Sequence, residues 1–236
     1  MTAKTILLIG SSGGLGSELV KYYKDKNYNL ALHYHQHPNM EPSDRIKTYQ
    51  ADITIESEVS RMITQVKTDF GRIDVVIHNA GVSKNSISWK LNVNDWNETI
   101  AVNLTGPFLV TKFVTPIMRS QNFGRIIFMS SVVAQTGFVG TAAYAASKAG
   151  LLGLTKTLAK ELANKNITVN AIALGYFNVG MIHDVPAEMQ EELKKKIPMA
   201  TLGSPQQLAA LIEYISSEQA NYLTGQTLNL NGGLHS

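Results

Sequence analysis

The chain has 236 residues, 44% of them hydrophobic and 17% charged, with a net charge of +3 and no cysteine. Those values exclude a disordered or fibrous protein, and the basic residues are scattered rather than gathered into the stripe that a nucleic acid would need. Without cysteine there is no disulfide, no thiolate nucleophile and no thiolate zinc ligand, and the length suits one α/β domain over residues 1–236.

The first apolar run, Thr5 to Ile9, reads as a buried strand and is too short for a secretion-signal core or a membrane span, so a soluble cytoplasmic protein is expected. Directly after it comes Gly10-Ser11-Ser12-Gly13-Gly14-Leu15-Gly16, which opens a helical pattern from Gly14 to Lys26. Glycines let a backbone turn sharply and approach an anion closely, and the exposed amides and helix dipole add positive potential. Gly10, Ser12, Gly14, Leu15 and Gly16 are therefore read as a cradle for a pyrophosphate. A second strand, Asn29 to Tyr34, leads into 36–44, where two prolines leave the expected helix short or absent. His33, His35 and His37 alternate along one side, but no carboxylate set completes a metal site and none is expected.

Further strands are predicted at Ile46–Gln50, Val75–His78, Arg125–Met129, Thr168–Ala173 and Thr227–Leu230. Helices are predicted at Ile55–Phe70, Asn94–Met118, Ala142–Asn164 and Pro205–Ser216. Met189, Leu193 and Ile197 recur at i, i+4 and i+8, an amphipathic helix that either packs on the body or forms a lid. Strands alternating with helices indicate βαβ units, hence an α/β fold: a single-domain, Rossmann-like, doubly wound parallel sheet with helices on both faces.

Within the predicted Ala142–Asn164 helix Tyr144 and Lys148 stand four residues apart and share a face, with Ser131 thirteen positions upstream of the tyrosine. A phenol ordinarily keeps its proton to about pH 10, and a neighbouring cation favours the phenolate, so the pair reads as a tuned acid. Ser130 adjoins Ser131, and strand alternation points the two in opposite directions.

The glycine spacing is GxxxGxG at Gly10, Gly14 and Gly16, not the usual GxGxxG. Together with Asp52-Ile53, Asn79-Ala80-Gly81, Asn103, the serine followed by YxxxK, and Asn231-Gly232-Gly233, it resembles the short-chain dehydrogenase/reductase family from about Lys4 to Gly233. The resemblance implies that Tyr144 donates a proton to the developing alkoxide and that Ser131 hydrogen-bonds the same oxygen. It implies further that Lys148 lowers the Tyr144 pKa and holds the nicotinamide ribose, and that Asn103 anchors a water connecting Lys148 to solvent. Asp52, Ile53, Asn79, Ala80, Gly81, Gly175 and Phe177, with Tyr144 and Lys148, are the other cofactor contacts it implies. Three positions depart from the family pattern, at Ile9, at Leu174-Gly175 and at Val179.

The end of the second strand carries Tyr34 and His35 and no carboxylate, which favours NADPH over NADH; His35 or His33 could meet a 2′-phosphate and make affinity pH-dependent. Within the family the chain is most similar to 3-oxoacyl-[acyl-carrier-protein] reductases, in Ser131-Val132-Val133, Asn170-Ala171-Ile172-Ala173 and 223–233. That implies an acidic acyl carrier protein as partner, for which Arg119, Arg125 and Lys165 are candidate steering charges, and a homotetramer packed through Asn94–Met118 and Ala142–Asn164. Two alternatives stand beside this one: a reductase of a free ketone, sugar or polyol, and a catalytically silent nucleotide-binding subunit. No nucleic acid or membrane partner is expected.

Overall fold

The computed structural model describes residues 3–38 and 40–236. In chain order the elements are β1 (Lys4–Ile9), α1 (Gly14–Tyr23), β2 (Tyr28–Tyr34), β3 (Ile46–Gln50), α2 (Glu56–Phe70), β4 (Val75–His78) and α3 (Val93–Ile100). A π-helical turn, Ala101–Thr105, joins α3 to α4 (Gly106–Gln121). There follow β5 (Gly124–Ser131), the short α5 (Val133–Thr136), α6 (Ala142–Leu162), β6 (Ile167–Leu174), α7 (Ala187–Lys196), α8 (Pro205–Ser216) and β7 (Thr227–Leu230).

The strands form one seven-stranded sheet in the order β3-β2-β1-β4-β5-β6-β7, parallel throughout. A sheet covered on both faces needs strands that are apolar on both sides, and every residue of β5 and β6 is buried. Alternation divides the core in two. Leu7, Ile9, Val76, Ile126 and Phe128 face α2, α4 and α6 in one layer, while Ile6, Leu8, Ile77 and Ile127 face α1 and α8 in the other. Each fully buried side chain of this kind is worth roughly 1.5–3 kcal/mol of transfer free energy.

Strand order reverses between β1 and β4, and at such a switch point the loops leaving the carboxyl ends diverge and open a crevice. Among the described residues of 36–44 there is no helix, as the prolines predict. The predicted Asn94–Met118 helix is interrupted by the π turn at 101–105. Val93–Gln121 is long and apolar enough to cross a membrane, but Leu109, Val110, Val114 and Met118 on it belong to the core against the sheet. The predicted stripe on α7 is only partly sheltered, since Ile197 is buried and Met189 is 58% exposed.

Candidate active site

The crevice is a cleft of about 640 Å³ at the β1/β4 switch point, within the size range of ligand sites. Its floor is the turn after β1, and glycine is required there by close backbone approach. Gly10 has φ +78°, and a Cβ on it would lie 2.6 Å from Ala80 Cα; one on Gly14 would lie 2.5 Å from Gly180 Cα. A Cβ on Gly16 would lie 2.2 Å from the Gly10 carbonyl oxygen, so Gly16 serves the turn's packing and does not line the cleft. The first-turn amides of α1 receive no side-chain cap, which leaves them to face an anion.

Of the positions read from the sequence, Gly10, Ser12, Gly14 and Leu15 line the cleft on the turn side. His35, Asp52, Ile53, Asn79, Ala80 and Gly81 line it on the side of β2, β3 and β4. Asn79 donates from Nδ2 to the Gly10 carbonyl at 2.8 Å, tying β4 to the turn. Asp52 accepts from the Thr54 amide at 2.8 Å and its hydroxyl at 2.7 Å. Burial pushes the Asp52 carboxyl up, but those bonds and the two nearby histidines outweigh it and hold the group below the usual aspartate value.

Beyond Gly81 the cleft meets a second cluster. Tyr144 and Lys148 lie on α6 with the Lys148 Nζ 5.7 Å from the centre of the tyrosine ring. Ser131, at the end of β5, hydrogen-bonds the Tyr144 hydroxyl, whereas Ser130 points away and donates to the Lys148 carbonyl at 2.9 Å. Asn103 is fully buried; its Oδ1 accepts from the Val82 amide at 2.8 Å, and its Nδ2 donates to the Val82 carbonyl at 2.9 Å and to Ser147 Oγ at 3.1 Å. A Cβ built on Gly81 would come within 3.4 Å of both Asn103 Oδ1 and Lys148 Nζ, so this cleft-lining glycine abuts the cluster directly.

A family model described as "Enoyl-(Acyl carrier protein) reductase" matches residues 9–235. The chain belongs to the short-chain dehydrogenase/reductase family. It is 34% identical to the 3-oxoacyl-[acyl-carrier-protein] reductase FabG of Staphylococcus epidermidis, over 98% of this chain and 99% of that protein. It is 33% identical to the enzyme of the same name from Thermotoga maritima, over 99% and 98% of the two chains. To Nodulation protein G of Azospirillum brasilense it is 35% identical, over 100% of this chain and 99% of the other. The protein is accordingly an NAD(P)-dependent oxidoreductase acting on CH–OH or keto groups, and the cleft, with its glycine-floored turn, uncapped helix amides and acidic far edge, has the shape and donors to hold a dinucleotide.

Several features of this dehydrogenase/reductase differ from the sequence reading. The Lys148 ammonium donates to the Met129 carbonyl at 2.8 Å, and Lys148 is not among the groups that shift the Tyr144 pKa. Burial pushes the Tyr144 pKa above its ordinary value and the Ser131 hydrogen bond pulls it down, while burial lowers Lys148 to about 8. His33 is not available to a 2′-phosphate, because Nδ1 accepts from the Gly10 amide at 3.1 Å and Nε2 meets the Ala51 carbonyl at 3.0 Å. Tyr34 does not line the cleft, unlike its neighbour His35. Phe177 is a core side chain, and a Cβ on Gly175 would lie 2.7 Å from Asn231 Cα, so both positions shape the wall from behind. Arg125 is no part of a basic rim: it is fully buried and donates to the Gly124 and Asn166 carbonyls and to Asn221.

Val82, Thr54, Val102 and Gly180 line the cleft without having been read from the sequence. They carry no distinctive chemistry and reach it only through the folding of their connections.

Proposed function

We propose that the chain reduces a 3-oxoacyl thioester, presented on acyl carrier protein, to the 3-hydroxyacyl thioester with NADPH as reductant. The observation that carries this reading is the Ser131-bonded Tyr144 phenol on one helix face with a buried Lys148, whose ammonium abuts the cleft at Gly81. The names of the staphylococcal and Thermotoga relatives support the thioester as substrate.

When bound, the reduced nicotinamide supplies the hydride that no side chain can. Tyr144 gives its phenolic proton to the carbonyl oxygen as negative charge develops there, and Ser131 hydrogen-bonds that oxygen. A phenol held above its ordinary pKa by burial is fully protonated at neutral pH and ready to donate. Lys148 would hold the ribose of the bound nucleotide, and Asn103 would anchor a water linking Lys148 to solvent for return of the proton to Tyr144. Preference for NADPH rests on the absence of a carboxylate at the end of β2 and on exposed His35 at the cleft rim, 3.9 Å from Asp52. Exposed apolar side chains at Trp89, Phe138 and Val139 suit an acyl chain: the loops bearing them are joined by the Ser86 amide donating to Gly140 at 2.8 Å, close to the start of α6.

A homotetramer belongs to the same proposal, supported by the apolar hollow of Leu104, Phe108, Gly150 and Leu154, where Phe108 is 47% exposed. So does a cytoplasmic location, where reduced nicotinamide nucleotide is kept for biosynthesis.

The test is loss of NADPH absorbance with acetoacetyl thioester against a panel of free ketones, sugars and polyols. We expect the thioester to be turned over best and NADPH to bind more tightly than NADH; a panel member preferred over the thioester moves the chain to the free-carbonyl alternative. Tyr144→Phe is expected to lower kcat by about 10³-fold or more, in the range of a lost general acid, with nucleotide still bound. A near-native rate in that variant removes Tyr144 as the acid, and no turnover of any carbonyl by the native chain favours a silent nucleotide-binding subunit.

A further inference from the structure

His33 stands at the last turn-facing position of β2, paired in register with Ile9 of β1 and Tyr49 of β3, and is 2% exposed. Four hydrogen bonds converge on it. Its carbonyl accepts from both the Ser11 amide and the Ser11 hydroxyl at 2.9 Å. Its Nδ1 accepts from the Gly10 amide at 3.1 Å, which requires a lone pair there, and its Nε2, carrying the proton, donates to the Ala51 carbonyl at 3.0 Å. One neutral ring in one tautomer thus joins Gly10, where the anion cradle begins, to Ala51, the residue before Asp52 on the opposite wall of the cleft.

We propose that His33 is a positioning residue which fixes the glycine turn against the far wall of the nucleotide cleft, and that its protonation releases the turn and weakens binding of both nicotinamide nucleotides. The proposal rests on the nucleotide-binding part of the reading above. A second proton would sit on Nδ1, pointing at the Gly10 N–H, so donor would face donor and the bond that aims the turn would be lost. The charged groups facing the ring are His35 just after β2 and Asp52 after β3; from the β1–α1 turn only uncharged backbone and Ser11 face it. Burial, with His35, holds the ring below the ordinary histidine range, while the Ala51 bond and Asp52 oppose them. The clamp is therefore intact at neutral pH and opens on acidification.

Two measurements test it. Imidazole nitrogen–proton spectra of the nucleotide-free chain, titrated downward from pH 8, should show His33 neutral with its proton on Nε2 and titrating below the ordinary value. A proton on Nδ1, or an ordinary titration, overturns the clamp. Dissociation constants for NADH and NADPH, measured by fluorescence titration from pH 7.5 downward, should rise together for the native chain and for His35→Ala. His33→Asn keeps an acceptor for the Gly10 amide but cannot take a proton, and is expected to bind both nucleotides nearly as well as the native chain with a flat pH profile. His33→Leu, with no acceptor, should bind both about five- to tenfold more weakly at every pH, the worth of one hydrogen bond. Native affinity in His33→Leu, or a native pH slope in His33→Asn, refutes the proposal. Absence of nucleotide binding by the native chain refutes the cofactor reading instead, and the imidazole spectra still decide the state of the ring.

Discussion

Lys148 holds a position that costs the fold stability. It projects from α6 and is buried, its ammonium reaches the Met129 carbonyl, and burial lowers its pKa from 10.5 to about 8. A folded-state pKa below the unfolded one means that the unfolded chain binds more protons between pH 8 and 10.5. The penalty is thus complete at neutral pH and fades as pH rises through that window. Lys148→Met should stabilise the chain at pH 7 by about 2 kcal/mol, after allowance for the orphaned carbonyl, while abolishing turnover. Urea unfolding of both proteins at pH 7 and pH 10 checks this: the gap should narrow at the higher pH, and a less stable methionine variant at pH 7 would count against a strained lysine. The residues Tyr144, Lys148 and Ser131 were legible because their spacing along one helix and one strand fixes their faces. The destination of the ammonium was not legible, because Met129 lies nineteen residues away in sequence and meets it only across the β5–α6 packing.

Among elements, the turn between β1 and α1 was readable down to its glycines, since tight backbone geometry leaves a local signature. Its partner was not. Gly14 packs on Gly180, in the connection after β6, so the second glycine of the motif serves contact with a segment 166 positions later. Gly14→Ala would bring a methyl within 2.5 Å of Gly180 Cα, a backbone atom that cannot swing aside. We expect that variant to bind nucleotide at least tenfold more weakly and to unfold about 1–3 kcal/mol more easily, in the range of overpacked sites. Equilibrium titration and thermal melting read the two effects, and native values for both would mean that the turn and the 176–184 connection shift freely. The π turn at Ala101–Thr105 was likewise hidden, for its sequence reads as unbroken helix. By adding one residue to a turn it re-aims the face that carries Asn103 toward Val82 and Ser147, a device that recurs at functional sites.

Across the molecule, stability on the acid side depends on histidines buried as neutral rings. His78, stacked on Phe128 at 4.7 Å and bonded to Thr111 at 3.1 Å, is lowered to about 3 by burial and by Lys148. Between that value and 6.5 the unfolded chain binds the extra proton, so stability is complete above 6.5 and is lost as pH falls through the window, by up to about 5 kcal/mol. His33, also lowered, acts in the same direction. The urea midpoint should fall steeply between pH 6.5 and 4, and His78→Phe, which keeps the ring stack, should flatten that decline; an unchanged slope would assign the acid sensitivity to other groups. By itself, the sequence determined the alternation of strand and helix, the doubly wound sheet, the glycine turn and the tyrosine–lysine pair. Each of those is written in periodicity or short-range spacing, which the backbone converts directly into geometry. Only the tertiary structure decided that Arg125 is buried, that Lys148 faces Met129 and that His33 is engaged at both nitrogens. Those outcomes depend on which distant strands become neighbours and on how much water burial removes, and neither quantity is carried by any local stretch of residues.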